Sequence, residues 1–241
     1  MEKESVEKKD EITRLYPFNH RNENHMNREI TAESICDMMV EALAHVHRDD
    51  LAYLFATGKN ELYLRDHLAA HIHRNLGLSE EQFVAREWKK HDLSIHNGAQ
   101  PYAIIEGKSY IHYDAANPMH LEGGKNTIRH DIERDLGKTT STFKRALSKG
   151  YDCKRIFTAI IFTVEISKDH EEALGNITYA KYHRQGGNKL GSYSVLIQEG
   201  RKNLHELMSR YGKVSSVPLN TGKYKGMQVT ADFFAVENIG D

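Results

Sequence analysis

Asp92 and the triplet Glu106-Gly107-Lys108 are the residues of this chain whose types and spacing could do chemistry. Two carboxylates held within about 4 Å of each other repel, and a cation placed between them removes the repulsion. Oxygen-only ligands with room for water suit a hard divalent ion, Mg²⁺ or Mn²⁺. The lysine supplies the other charge that such a site needs. An ammonium beside an attacking water can hold or deprotonate it, or can neutralise a phosphate as negative charge builds in the transition state. The competing reading is plainer: Asp92 and Glu106 are surface acids at strand ends, and Lys108 is their exposed ion-pair partner, worth about 0–1 kcal/mol.

For the three side chains to meet, they must sit on adjacent strands. Strand-period runs at 83–88, 92–95 and 102–106 are joined by short links at Lys89-Lys90 and Asn97-Gly98, a pattern that predicts a three-strand meander. Asp92 then begins the second strand and Glu106 ends the third. Upstream, Thr31 is placed to cap a helix whose stripe is Ile35, Met38, Met39, Ala42, Leu43 and Val46. A second helix carries Leu64, Leu68, Ala69, Ile72 and Leu76, has Glu61 in its first turn and stops at Gly77. Downstream, a loop over 113–124 leads to a helix from Asn126 to about Lys149, with a break expected near Gly137 and recapping at Thr139 or Thr140. The run KRIFTAIIFTVE at 154–165 is too apolar and β-branched for a surface element, so it reads as a central strand buried on both faces. Leu196, Leu204, Leu207, Met208 and Tyr211 suggest a further helix. A last strand alternates through Met227, Val229, Ala231, Phe233 and Ala235, after a turn at Asn220-Thr221-Gly222.

In this setting the residues resemble the PD-(D/E)XK nuclease superfamily. The resemblance covers roughly residues 61–165 and implies an α/β fold, a restriction-endonuclease-like mixed sheet flanked by helices in the order α-β-β-β-α-β, with an additional C-terminal helix and strands. It implies that Asp92 and Glu106 bind the metal, with the Gly107 carbonyl as a further ligand, and that Lys108 assists the attacking water. Glu61, in KNELYLRDHL, matches best the glutamate that often joins the site from the first core helix, although any helix favours an acid in its first turn. His91 stands where the motif's name has proline, and no separate target-recognition domain is evident. The implied activity is divalent-metal-dependent hydrolysis of DNA phosphodiesters, as an endonuclease, with restriction as one of the roles open to it and Mg²⁺ or Mn²⁺ as cofactor. Double-strand cutters with one site per chain usually act as dimers, so a homodimer belongs to the expectation.

Composition narrows the alternatives. The 241 residues carry 33 Lys+Arg against 34 Asp+Glu, so no global field draws the protein to a polyanion, and contacts to DNA must come from local clusters. Lys89 and Lys90, Lys181 and Arg184, and Lys223 and Lys225 are the candidates, each pair close to an aromatic residue. Each is also readable as an ordinary solvated face. Mean hydropathy of −0.64 is polar for a globular chain, and residues 1–30 are too charged to order themselves, which predicts a mobile arm followed by one domain over 31–241. No apolar run approaches the roughly 18 residues of a membrane span, and no secretion leader is visible at the start, so a cytoplasmic protein without membrane partners is expected. Cys36 and Cys153 form neither a CxxC pair nor a disulfide framework. Fifteen histidines invite a zinc reading, but His45/His47 and His71/His73 are spaced i,i+2, which on a helix points them about 200° apart. No glycine-rich stretch continues into the GK[ST] of a nucleotide-triphosphate loop. The chief alternative is a non-catalytic nucleic-acid-binding or scaffold protein that keeps a nuclease-like core; a His-ligated metallohydrolase would carry stoichiometric zinc.

Overall fold

The structure is a computed structural model that describes residues 29–58, 60–75, 82–166 and 192–237. Most of the expected arm, the Leu76-Gly77 helix stop, and Lys181 and Arg184 lie outside the described residues. Helices α1 (Ala32–Leu43), α2 (Arg48–Thr57) and α3 (Asn60–Asn75) come first. The meander β1 (Gln82–Trp88), β2 (His91–Asn97) and β3 (Gln100–Ile111) follows, then two short helices, α4 (His112–Ala116) and α5 (Pro118–Leu121). Helix α6 (Ile128–Ser148) leads to β4 (Lys154–Glu165), and the chain closes with α7 (Tyr193–Ser209), β5 (Lys213–Leu219), β6 (Lys223–Tyr224) and β7 (Met227–Glu237).

The strands form one seven-stranded mixed sheet in the order β1-β2-β3-β4-β7-β5, with β6 on β7. Among the described strands only β3 and β4 pair in parallel; every other neighbour is antiparallel. β4 is central, as its composition predicts, and all ten of its inner positions are buried. One face of the sheet packs against α1, α2 and α3 through Leu93, Ile105, Ile160 and Phe233. On the other, Phe157, Ala159 and Ile161 pack with residues of α6 and α7, among them Ile132 and Leu204. Each large side chain buried this way stabilises the fold by about 1.5–3 kcal/mol.

Local signals explain most boundaries. Thr31 caps α1 in a reciprocal capping box with Ser34, which satisfies two otherwise orphaned groups. Thr127 Oγ1 accepts from His130 N–H to start α6. That helix runs unbroken through Gly137, where a break was expected, because Thr139 and Thr140 do not recap it; their hydroxyls donate back to the Leu136 carbonyl instead. A further correction concerns β3, which does not end at Glu106 but continues to Ile111, its added length supported by parallel pairing with β4 as far as Ile111↔Phe162. The expected loop over 113–124 contains α4 and α5. The second meander turn sits one residue later than Asn97-Gly98: Asn97 pairs with Gln100, leaving Gly98 (φ +57°) and Ala99 as the loop. The turn before β7 likewise lies at Lys225-Gly226, after the short β6.

Cys36 and Cys153 are both buried, and burial pushes their thiols up to about 12 and about 11. No described helix is long and apolar enough to cross a membrane.

Candidate active site

Asp92 stands where the sheet comes apart. The β1–β2 ladder pairs Arg86 with Leu93 and Trp88 with His91, but Glu87, at φ +57°, interrupts it opposite Asp92. Arg65 of α3 holds the Glu87 carboxylate from outside. On the other side the β2–β3 ladder stops at Leu93↔Ile105. Asp92 therefore has no regular partner on either flank, and such irregularities re-aim a side chain out of strict alternation. Its Oδ2 accepts the Gly107 N–H at 2.9 Å, replacing the ladder bond that the fork removes.

Glu106 is 1 % exposed. Its Oε1 lies 2.8 Å from His91 Nδ1, and His91 Nε2 lies 3.2 Å from the Thr142 hydroxyl of α6. An ionised carboxylate can only accept, so with Glu106 ionised the hydrogen is on Nδ1. Burial raises the Glu106 carboxyl above the ordinary range; the His91 hydrogen bond opposes that rise and the Asp92 charge adds to it. His91 is itself only 3 % exposed and locks Glu106 in place.

Lys108, two residues along the strand, reaches two acids. Its Nζ lies 3.4 Å from Glu61 Oε1 and 3.6 Å from Asp135 Oδ2. Burial works to depress its pKa, but Glu61, Asp135 and Asp92 outweigh it and hold the ammonium above its ordinary range. For Glu61 burial wins: its carboxyl is raised despite Lys108, and Asp92 adds to the rise. Asp135 has a side chain wholly shielded from solvent. Burial alone would lift it, yet hydrogen bonds from Arg134 and Lys138, with the Lys108 charge, keep it below the usual range.

The structure thus brings Asp92, Glu106, Gly107, Lys108 and Glu61 into one region built by α3, β2, β3 and α6. Asp135 and His91 complete it, and sequence reasoning missed both roles. The signal for Asp135 was present, since it interrupts the buried stripe Ile128, Ile132, Leu136, Thr139, Phe143 at a position where an apolar residue belongs. Of the basic candidates, Lys89 and Lys90 form the β1–β2 turn next to this region. Lys223 and Lys225 lie elsewhere: the Lys223 N–H donates to Asp49 of α2, and the Lys225 ammonium sits 5.8 Å from the Tyr224 ring centre.

No group of three or more His, Cys, Asp or Glu residues arranged to hold a metal ion occurs among the described residues. The donor chemistry nevertheless fits a hard cation. Asp92 Oδ1 and Glu106 Oε2 make no hydrogen bond among the described residues, and the Asp92 charge acts to raise the Glu106 pKa. That repulsion is what a cation between the two carboxylates removes.

Gly107 is required for a steric reason. A Cβ there would lie 2.8 Å from Thr158 Oγ1, which donates to the Glu106 carbonyl at 3.2 Å. Gly107→Ala should cost roughly 1–3 kcal/mol through this overpacking. Thr158→Ala in the same chain should recover most of it, measured as the coupling energy of a double-mutant cycle by urea unfolding. Additive losses would place the strain elsewhere.

No protein-family model, curated protein or solved structure matches the chain.

Proposed function

We propose that the protein is a divalent-metal-dependent endonuclease that hydrolyses DNA phosphodiesters, on a core resembling that of PD-(D/E)XK nucleases. The observation that carries this reading is the fork between β2 and β3. It sets Asp92 against Gly107, leaves one oxygen on each of Asp92 and Glu106, and directs Lys108 toward Glu61 and Asp135. The succession α3-β1-β2-β3-α6-β4 also follows the expected core order, with the two short helices inserted.

Asp92, Glu106 and the Gly107 carbonyl would hold Mg²⁺ or Mn²⁺, which when bound supplies Lewis-acid stabilisation of the phosphate and a more acidic water. The chain's own groups do the rest. His91 fixes the Glu106 rotamer, so that the carboxylate does not have to be ordered when substrate binds. Glu61 and Asp135 keep Lys108 protonated and oriented. Its ammonium is thereby ready to donate to a water or a phosphate oxygen at no reorganisation cost.

A second reading has its own observation. Each candidate carboxylate already has a protein partner: Gly107 for Asp92, His91 for Glu106, Lys108 for Glu61. A scaffold that keeps the core without using it would look like this. Plasmid nicking by the full chain in Mg²⁺ and Mn²⁺ separates the two; an inert wild type in both metals supports the scaffold.

Asp92→Asn tests the metal role without breaking the fork, because the amide oxygen can still accept the Gly107 N–H. It should abolish most cleavage and leave the melting temperature unchanged or slightly higher, since removing the charge relieves Glu61 and Glu106. A large drop in melting temperature would make Asp92 structural instead.

A further inference from the structure

The edge strand β1 carries a set of rings that runs into the candidate site. Phe83 is 43 % exposed yet lies flat on the His96 imidazole of β2, with centroids 4.6 Å apart and planes 3° from parallel. Trp88 meets the same imidazole edge-on at 4.5 Å. His96 is buried, and burial together with the Lys89 charge holds its pKa below the ordinary histidine range. At neutral pH it is therefore an uncharged plate behind Phe83, anchored by the Ser94 hydroxyl at 2.9 Å. One face of the Phe83 ring is backed by His96, and with 43 % of the residue exposed there is ring surface left for a ligand. At the inner end Trp88 lies 6.1 Å from the ring of His91, whose Nδ1 is on Glu106.

The turn beside these rings is built against its own backbone preference. Trp88 pairs with His91, so Lys89 and Lys90 are the two turn residues, at φ +50° and +71°. Asn-Gly is the low-strain choice for such a turn, and a non-glycine residue in this region costs on the order of 1–3 kcal/mol. Lysine offers no side-chain hydrogen bond to offset it. Neither Lys89 nor Lys90 makes an ion pair among the described residues, while the Lys89 ammonium lies 4.5 Å from the Trp88 ring centre. Two cations without a carboxylate partner among the described residues are thus held at the rim of an aromatic platform, at the expense of stability.

We infer that this edge binds single-stranded nucleic acid, with an unpaired base stacked on Phe83 and the flanking phosphates on Lys89 and Lys90. Rings and lysines together match the alternation of bases and phosphates along a strand. An intact duplex offers them phosphates only, because its base faces are covered by their neighbours. The inference rests on the nuclease reading for its purpose, since it names the strand delivered to that site, one with unpaired bases.

The test uses the full chain in EDTA, which prevents metal-dependent cleavage, with a fluorescent oligothymidylate and a fully paired hairpin of equal length as probes. The single strand should bind roughly tenfold more tightly or better. Phe83→Leu keeps the apolar cover on His96 and removes the stacking face; it should weaken single-strand binding roughly five- to hundredfold. Lys89→Asn with Lys90→Gly should reduce the slope of log affinity against log salt by about 1.4, two phosphate contacts' worth. The same pair should melt at an unchanged or higher temperature, whereas lysines with a structural role would lower it. Equal binding of both probes, or unchanged affinity in both variants, overturns the inference. The two readings also fail separately. Single-strand binding that depends on Phe83, in a chain that never cuts DNA in Mg²⁺ or Mn²⁺, upholds the platform and removes the nuclease. Cleavage with binding indifferent to Phe83 and the lysines does the reverse.

Discussion

Lys108→Met should lower the single-turnover rate of DNA cleavage by roughly 10²–10³-fold while DNA affinity falls little. Methionine keeps most of the apolar stem and deletes the ammonium, so packing against β3 is largely spared. The ammonium matters most when charge is greatest, and a phosphoryl group under attack carries more charge in the transition state than before it. A group that served binding alone would raise KM and leave the chemical step intact. The neighbours sharpen the expectation, because Asp135 retains Arg134 and Lys138 after the change and Glu61, its side chain 29 % exposed, can be solvated in place of Lys108. The mutant therefore loses no partner on which folding depends, and its melting temperature should stay within a few degrees of wild type. Near-normal cleavage would remove Lys108 from the reaction and take most of the case for Asp92 and Glu106 with it. A slow mutant that also melts far below wild type would mean that the lysine props the fold.

How much of this was legible in the sequence depends on how local each signal is. The stripes of α1 and α3, the meander and the buried β4 follow from periodicity, and periodicity reports which face is buried without reference to the partner. The extension of β3 through Gly107, Lys108 and Ser109 does not, because those residues are strand-like only through their pairing with β4, some fifty positions away. Gly137 misled for a related reason. Its cost of about 1 kcal/mol relative to alanine is real, but it lies on an open face of α6 where an added Cβ would meet nothing within 4 Å, and buried Ile132, Leu136 and Phe143 hold the helix across it. β5 escaped notice because it is an edge strand with only Leu219 buried, so its pattern is mostly polar. At the site, spacing picked out Asp92, Glu106 and Lys108. Their partners His91 and Asp135 acquire meaning only once β2, β3 and α6 are folded together, and a buried acid in an apolar stripe was the one trace left in the sequence.

Away from the candidate site, Asp232→Ala should destabilise the protein by about 3–5 kcal/mol at neutral pH. Asp232 of β7 is 4 % exposed and joins three elements. It accepts from His112 Nε2 of α4 at 3.0 Å and from Arg201 Nε of α7 at 2.8 Å. A carboxylate can only accept, so Nε2 donates, and in the neutral imidazole Nδ1 is left to accept from the Thr163 hydroxyl of β4 at 3.0 Å. His112 and Thr163 are almost fully buried, so losing Asp232 strands a donor with no water to replace it. Arg201 is different: at 42 % exposure its own side chain can turn to solvent, and Arg201→Ala should cost less than Asp232→Ala, because the carboxylate keeps His112 as a donor. The pH dependence tells charge from shape. Burial acts to raise the Asp232 carboxyl, but hydrogen bonds from His112 and Arg201 outweigh it and hold the pKa below the ordinary range. A depressed folded pKa stabilises the fold above the unfolded value of about 3.9, and the contribution is lost as pH falls through the folded value. Glu61 and Glu106 act in the opposite direction. Their folded pKa values are raised, so the folded chain takes up protons first, and stability should rise as pH falls toward their unfolded value of about 4.3. Urea unfolding of the wild type should accordingly be most difficult at mildly acidic pH and collapse below about pH 4. The gap between wild type and Asp232→Ala should narrow over that same acid limb. A gap that stays constant down to pH 3 would mean that the lost packing of the side chain, and not its charge, is what the mutation removes.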